Sequence, residues 1–311
     1  MLQAALRWIL PLTSLLVLGP LAGLLTGSLI APDGGHDATP LLCDTPVFGV
    51  LAAVGVFVLA TVGGVVTASQ MGGGWGLASA GFVLAWGAWG TGTVDQILRR
   101  TQSGATFWTI AIEGALMGVL GLVSAVVILA AGRRHAADAA ESATPRASQA
   151  GFVGRVVEEV TGLGAALVGR GRDADDGESP SAGAVLLSLV IALAAGAVGA
   201  WLVAVEALKG QTFAAAAVAG IVAAAIGRVT TERSPATLYV LVVALLAVAS
   251  PIAAAVMYPG AEGAVRAAYA SNLIPVARIL PLDWIAGGLV GVPIGLSWAA
   301  SMTERHVPEH A

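Results

Sequence analysis

The sequence predicts an all-α integral membrane protein with about eight transmembrane helices. Three observations predict this class: 57% of the 311 residues are hydrophobic, only 11% are charged, and the mean hydropathy is +0.86. In soluble domains about a quarter of all residues are charged, so this composition lies outside their range. The apolar residues are also grouped in runs of about twenty, the length that spans a hydrocarbon core of roughly 30 Å.

The apolar runs alternate with polar turns along the chain. The first run, 9–30, follows Arg7 and resembles both a helix and a secretory signal peptide, and its length favours the helix. Residues 259–282 contain three prolines, which favour an interfacial or re-entrant piece over a full span. The other spans are predicted at 47–69, 75–94, 104–131, 183–205, 212–227, 238–257 and 284–302.

A long polar segment, 132–182, separates two groups of apolar runs. It holds six of the fifteen basic and eight of the nineteen acidic residues, which is typical of a solvated loop. Inside it, residues 151–169 place valines on one helical face and charges largely opposite, which predicts an amphipathic surface helix. The predicted organisation is a membrane domain with helices 1 to 4 (1–131), this loop, a membrane domain with helices 5 to 8 (183–303) and a polar tail (304–311).

The basic residues predict an orientation. With eight spans and the N-terminus inside, ten of the fifteen bases fall on the cytoplasmic side and five on the other. Cytoplasmic segments are normally the richer in Lys and Arg, so we expect both ends of the chain and the 132–182 loop to be cytoplasmic. The outer five include Arg99 and Arg100, whose placement runs against this rule. The others are Lys209, Arg266 and Arg278.

Two helices begin with related sequences. Residues 104–107 read GATF and residues 210–213 read GQTF, and in both helices glycines follow the phenylalanine by seven and fourteen residues. This similarity predicts four repeated helical hairpins. Glu113 has Ala219 at the equivalent position, so the carboxylate is not part of the repeat.

Glu113 is the one carboxylate inside the 104–131 run. An acidic residue near the centre of a membrane helix costs roughly 2.5 to 3.5 kcal/mol, so its side chain should face a polar interior or a base. A transport or proton-relay group and a hydrogen-bonded packing group both satisfy this requirement. Close helix packing is predicted beside it by a GxxxG spacing, which recurs in the last helix. The glycines of the two motifs are Gly114, Gly118, Gly291 and Gly295.

Charged residues are expected to gather near the outer ends of the helices. Such a set lines a vestibule or consists of ordinary interfacial charges that reach the headgroups. Trp86 and Trp89, well inside the third run, indicate a close helix contact or a stacking site for a ligand. Besides Glu113, the candidate polar cluster comprises Asp95, Arg99, Arg100, Glu206 and Lys209, with Asp283 and Arg278 nearby.

The sequence narrows the function without specifying it. No catalytic motif is present, and the single Cys43 and four histidines outside the apolar runs predict neither a cofactor nor a metal site. No basic cluster predicts nucleic-acid binding. The first hypothesis is a transporter or channel for a small solute or ion that uses Glu113. The alternative is a non-catalytic structural or accessory subunit that binds the bilayer, an oligomeric partner, or a protein docked on the 132–182 loop.

Overall fold

The computed structural model describes residues 2–141, 152–168, 182–231 and 234–303. Within these ranges the chain forms helices and turns and contains no β-strand, which confirms the all-α class. The helices are α1 (Leu2–Thr13), α2 (Gly19–Gly27), α3 (Pro46–Met71), α4 (Gly73–Trp89), α5 (Val94–Thr101), α6 (Thr106–Glu141), α7 (Phe152–Val168), α8 (Ala182–Val203), α9 (Lys209–Thr230), α10 (Ala236–Met257), α11 (Gly260–Tyr269) and α12 (Pro281–Thr303).

The chain is a multi-pass membrane protein. Seven helical segments of the described residues are long and apolar enough to cross a bilayer. The first of them joins α1 to α2 through a π-helical turn, Ser14–Leu18. They are Trp8–Gly27, Pro46–Met71, Thr106–Arg133, Gly183–Val203, Lys209–Thr230, Ala236–Met257 and Pro281–Met302.

The predicted span at 75–94 is not among these seven segments, because its helix is shorter than expected. Its helix, α4, ends at Trp89, and α5 begins after Thr93 with a capping box in which the Gln96 side chain accepts a hydrogen bond from the Thr93 backbone at 2.7 Å. Glycines at 90 and 92 separate the two helices. The 17 residues of α4 rise about 25 Å, and the helix packs antiparallel to α3 and against α12.

The predicted 132–182 loop starts later than expected. Helix α6 continues to Glu141, through an alanine-rich stretch that favours helix, so the first ten residues of this segment belong to the helix, although the membrane span ends at Arg133. Helix α7 occupies the range predicted for the amphipathic helix, and it packs against α6 and α8 with an ion pair of 2.5 Å between Arg133 and Glu159. The predicted loop residues 142–151 and 169–181 and the tail 304–311 lie outside the described residues.

The bundle has two ends. We call the end formed by residues 28–45, 90–105, 204–208 and 258–280 the loop end. Here α11 and a short 3-10 turn lie in the range 259–282, which was predicted to be an interfacial or re-entrant piece. We call the other end the terminal end. Trp8 packs edge-on against Trp75 there, with ring centroids 5.3 Å apart, and Trp75 shares a cavity with Trp298. The start of the first described span and the end of the last one therefore lie on the same side of the bundle.

Glycines allow the closest helix contacts. The Gly114 and Gly118 positions face α10, where a Cβ at Gly118 would lie 3.1 Å from the Cβ of Ala244. A Cβ at Gly114 would overlap the backbone of Ala247. In α12, Gly291 and Gly295 meet the backbone of α9 in the same way. These contacts hold α6 on α10 and α12 on α9.

The packing gives no support to the four-hairpin repeat. Helices α8 and α9 pack against each other along their length, as a hairpin should. Helix α4, which precedes α6 in the proposed equivalent hairpin, packs mainly on α3 and α12. The arrangement of these helices therefore does not support the repeat that the sequence similarity predicts.

Candidate functional site within the helical bundle

Lys209 and Asp283 form an ion pair inside the bundle. Lys209 is the first residue of α9 and Asp283 lies in the first turn of α12, and the close packing of these helices brings them together. The Lys209 Nζ lies 3.3 Å from the Asp283 Oδ2 and donates a second hydrogen bond of 2.8 Å to the Thr91 hydroxyl. The two charged side chains are only 12% and 2% exposed.

Helix electrostatics explain one member of this pair and not the other. A carboxylate in a first turn is stabilised by the positive end of the helix dipole, which suits Asp283 in α12. A lysine at a helix start is disfavoured by the same effect, so Lys209 has no local reason to be there. It is also the one lysine among the fifteen basic residues of the chain. The Asp283 Oδ1 is buried and has no hydrogen-bond partner among the described residues.

A cavity of about 410 Å³ opens beside the pair. Its walls are mainly aromatic and come from α4 and α9, with Lys209 and Asp283 on one side. The Trp86 and Trp89 rings are 40% and 66% exposed, so they lie on the outer surface of the bundle, where a membrane protein meets lipid. The cavity therefore connects a buried charge pair with the apolar outer surface of the bundle. The aromatic side chains are Phe82, Trp86, Trp89 and Phe213.

Trp86 combines two roles that the sequence left open. Its ring lies directly against Gly19 of α2, which makes it a packing residue. The same side chain also lines the aromatic cavity. The Trp86 indole thus packs against a neighbouring helix and also lines the cavity.

Glu113 occupies a separate buried position. It is 1% exposed, and its Oε2 accepts a hydrogen bond of 3.0 Å from the backbone N–H of Leu41 in the loop end. Nearby, the Thr39 hydroxyl is buried without a hydrogen-bond partner among the described residues. Lys209 is close enough to act electrostatically on the Glu113 carboxylate. Glu113 lines none of the described cavities, so its evident contact is the anchoring of the 39–41 loop.

Arg100 belongs to a different group of charges at the loop end. Its guanidinium pairs with Asp33 at 3.1 Å and with Asp37 at 2.7 Å, and so ties the 31–37 loop to α5. The backbone N–H of Gly35 and then Arg100 hold the pKa of Asp33 below its ordinary value. These groups are partly exposed, and the ion pairs compensate the charge of Arg100 at this end of the bundle.

The other predicted cluster residues are spread over the loop end. The Arg99 guanidinium lies 4.6 Å from the centre of the Tyr269 ring. Burial raises the pKa of Asp95, and the charges of Arg99 and Arg278 act in the opposite direction. Glu206 is exposed, and its backbone N–H donates to a neighbouring glutamine. The structure thus brings only Lys209 of the predicted cluster to the cavity, beside Asp283.

Thr91 and Phe213 are site residues that the sequence reasoning missed. Thr91 carries no motif, and Phe213 was noted only as the last residue of the GQTF similarity. The uniqueness of Lys209 was a visible signal, and it would have singled out this residue from the cluster.

Neither metal chemistry nor similarity supplies a further clue. The described residues contain no group of three or more His, Cys, Asp and Glu side chains that could hold a metal ion. Comparison with protein families, curated proteins and solved structures finds no match to this chain. The function must therefore be argued from the site itself.

Proposed function

We propose that this protein is a proton-coupled membrane transporter for a small solute or ion, with Asp283 and Lys209 as its coupling groups. The observation that carries the proposal is a buried ion pair that lines a cavity of about 410 Å³. Ionisable groups inside a membrane are costly and are characteristic of substrate paths and proton relays. The proposal assigns no enzymatic step to the protein.

The arrangement around Asp283 supports proton exchange. Its Oδ2 contacts Lys209, while its buried Oδ1 has no hydrogen-bond partner among the described residues and remains able to accept a proton. A carboxylate that takes up a proton weakens its attraction to the lysine, so protonation and the Lys209 contact are coupled. Glu113 and Thr39 extend the polar interior from this pair towards the loop end.

Proton movement can be measured directly in proteoliposomes with a trapped pH-sensitive dye and a potassium diffusion potential. We expect the wild type to move protons faster than empty liposomes, and dicyclohexylcarbodiimide to block this flux and label Asp283, which lines the cavity. Asp283→Asn should lower the flux at least tenfold. Glu262→Gln, an equivalent change in an exposed ion pair with Arg266, should leave it unchanged.

Two results would oppose the proposal. Proton flux equal to that of empty liposomes at every imposed potential would remove the proton as the coupling ion. Flux that is identical in the wild type and in Asp283→Asn, with no carbodiimide label on Asp283, would place any conduction elsewhere in the bundle. Peptide mass mapping identifies the labelled carboxyl in either case.

The second candidate is a structural or accessory subunit. It is favoured by the Glu113 contact, since a buried carboxylate that binds the Leu41 backbone anchors a loop without any transport role. Helix α7 offers a surface for a partner, because Val157 and Val160 are half-exposed beside the Arg133 pair. A protein that co-purifies with the wild type and is lost in a Val157→Ser, Val160→Ser variant would support this candidate.

The proposed orientation places the terminal end in the cytoplasm of a cell membrane. It rests on the sequence-based expectation that ten of the fifteen basic residues lie on the cytoplasmic side and five on the other. The test is labelling of intact cells with a membrane-impermeant maleimide after Cys43 is replaced by Ala. Ser103→Cys, at the loop end, should react, whereas Gln70→Cys, at the terminal end, should react only after lysis. The reverse pattern would contradict the orientation.

A further inference from the structure

The aromatic cavity continues along the outside of the bundle. A second cavity, of about 500 Å³, lies between α4 and α12 and reaches Trp75 and Trp298 at the terminal end. Phe82 lines both cavities, so they are adjacent sections of one groove. We call these two cavities together the lateral groove. It begins at Lys209 and ends at Trp298.

The lateral groove has the length and lining of a site for a lipid chain. From Gly74 to Trp89 the helix α4 rises about 22 Å, a large part of the roughly 30 Å hydrocarbon thickness. The walls are almost entirely apolar and aromatic, and tryptophans stand near both ends, as they do at membrane interfaces. Charged lining residues occur only at the loop end, where Lys209 and Asp283 lie.

The charge pair indicates which headgroup the lateral groove would receive. Of the two residues, the cation is the more exposed, with Lys209 at 12% and Asp283 at 2%. A lysine ammonium has three donors, and the Lys209 hydrogen bonds to Thr91 and Asp283 use two of them. The third donor is left for a group in the cavity, and a phosphate or carboxylate oxygen is the acceptor that binds an ammonium most strongly.

We infer that the lateral groove binds a bilayer lipid with an anionic headgroup, its chain lying between α4 and α12 and its head on Lys209. Asp283 then holds the lysine in position from behind, while Thr91 fixes the Nζ from the side. This inference goes beyond the proposed transport function, because the lipid can occupy the groove whether or not protons move.

The test uses thermal unfolding of the purified full chain in detergent, with dioleoyl phosphatidic acid and dioleoyl phosphatidylcholine as the probes. A ligand that binds the folded state raises the melting temperature with its concentration. We expect phosphatidic acid to raise it, with an apparent affinity about tenfold higher than that of phosphatidylcholine. Lipid extraction and mass spectrometry of the untreated protein should show an anionic lipid at about one per chain.

Two variants localise the binding. Ala85→Phe fills the lateral groove without changing Lys209 or Asp283, and Ala115→Phe adds the same ring on an exposed face of α6 outside the groove. We expect Ala85→Phe to lose the phosphatidic acid effect and Ala115→Phe to keep it. Lys209→Met should bind both lipids equally, and if this variant fails to fold, the Ala85 and Ala115 pair still decides the question.

Three outcomes would overturn the inference. The first is an equal effect of the two lipids on the wild type. The second is an equal effect of phosphatidic acid on Ala85→Phe and Ala115→Phe. The third is a co-purifying membrane helix, rather than a lipid, that Ala85→Phe displaces. Each is separable from the transport test, because none of these measurements involves flux.

Discussion

Replacing Gly291 by alanine should separate two helices that carry the site. Gly291 lies in α12 where it crosses α9, and a Cβ at this position would overlap the carbonyl oxygen of Ala217. The same Cβ would lie 2.9 Å from the backbone N of Ile221. Both obstacles are main-chain atoms of α9, which cannot rotate away as a side chain can. The two helices must therefore move apart or lose part of their contact.

The size of this effect follows from two opposing contributions. Overpacking a well-packed interface costs about 1 to 3 kcal/mol, and the main-chain obstacle places Gly291→Ala near the upper limit. Alanine is better than glycine in a helix by about 1 kcal/mol, which offsets part of the loss. The net destabilisation is about 1 to 2 kcal/mol. For a chain of this size that corresponds to a melting temperature lower by roughly 2 to 8 °C.

Gly199→Ala is the matched control. Gly199 is also buried in a membrane helix, but a Cβ there would lie 3.5 Å from side-chain carbons of Val218 and Val222, which is ordinary van der Waals contact. We expect this variant to melt at the wild-type temperature or slightly above it. The assay is tryptophan fluorescence during heating in detergent, with size-exclusion chromatography to verify the folded state. If Gly291→Ala melts at or above Gly199→Ala, the reasoning from the helix contact is refuted.

Three further predictions concern charged and buried groups. Lys209→Met and Asp283→Asn should each lower the free energy of unfolding by about 3 kcal/mol or more. In a double-mutant cycle of unfolding, the double variant should lose less than the sum of the two single losses. Additive losses would show that the two residues are not coupled. Glu113→Gln should lower the free energy of unfolding by under about 1 kcal/mol, because the amide oxygen still accepts the hydrogen bond from Leu41. Glu113→Leu should lower it by about 1 to 3 kcal/mol in the same assay. Equal melting temperatures of the two variants would show that this hydrogen bond does not stabilise the protein. Maleimide should react slowly with Cys43, since burial raises the pKa of the thiol. Arg100→Gln should accelerate the reaction severalfold, because it removes the ion pairs that hold the 31–37 loop. An unchanged rate would mean that these ion pairs do not hold the loop.

Periodicity and composition were enough to predict most of the helices, because a membrane span depends on local apolar length. The amphipathic pattern at 151–169 likewise predicted a helix that the structure has at Phe152–Val168. The end of α4 was predicted less well, since the apolar run continues past Trp89 and the capping box at Thr93 decides where a new helix starts. Local sequence patterns therefore predict the presence of a helix better than the residues at which it begins and ends.

The site could be predicted only in part. Lys209 and Asp283 are 74 positions apart, and their contact depends on how α9 packs against α12, which no local pattern encodes. Glu113 was identifiable as a buried carboxylate, but its bond to the Leu41 backbone depends on a loop that folds back over α6. Sequence reasoning could select unusual residues, whereas their partners required the three-dimensional arrangement.

The single lysine has a chemical consequence. Apart from a free chain terminus, the only primary amine in this sequence is that of Lys209, which lines the aromatic cavity. An apolar amine-reactive ester that dissolves in the membrane would therefore have one side-chain target in the entire chain. Acylation of Lys209 would add one adduct to the mass of the protein and remove the positive charge of the site in the same step. The molecule thus carries a built-in position for attaching one spectroscopic probe, without any mutation.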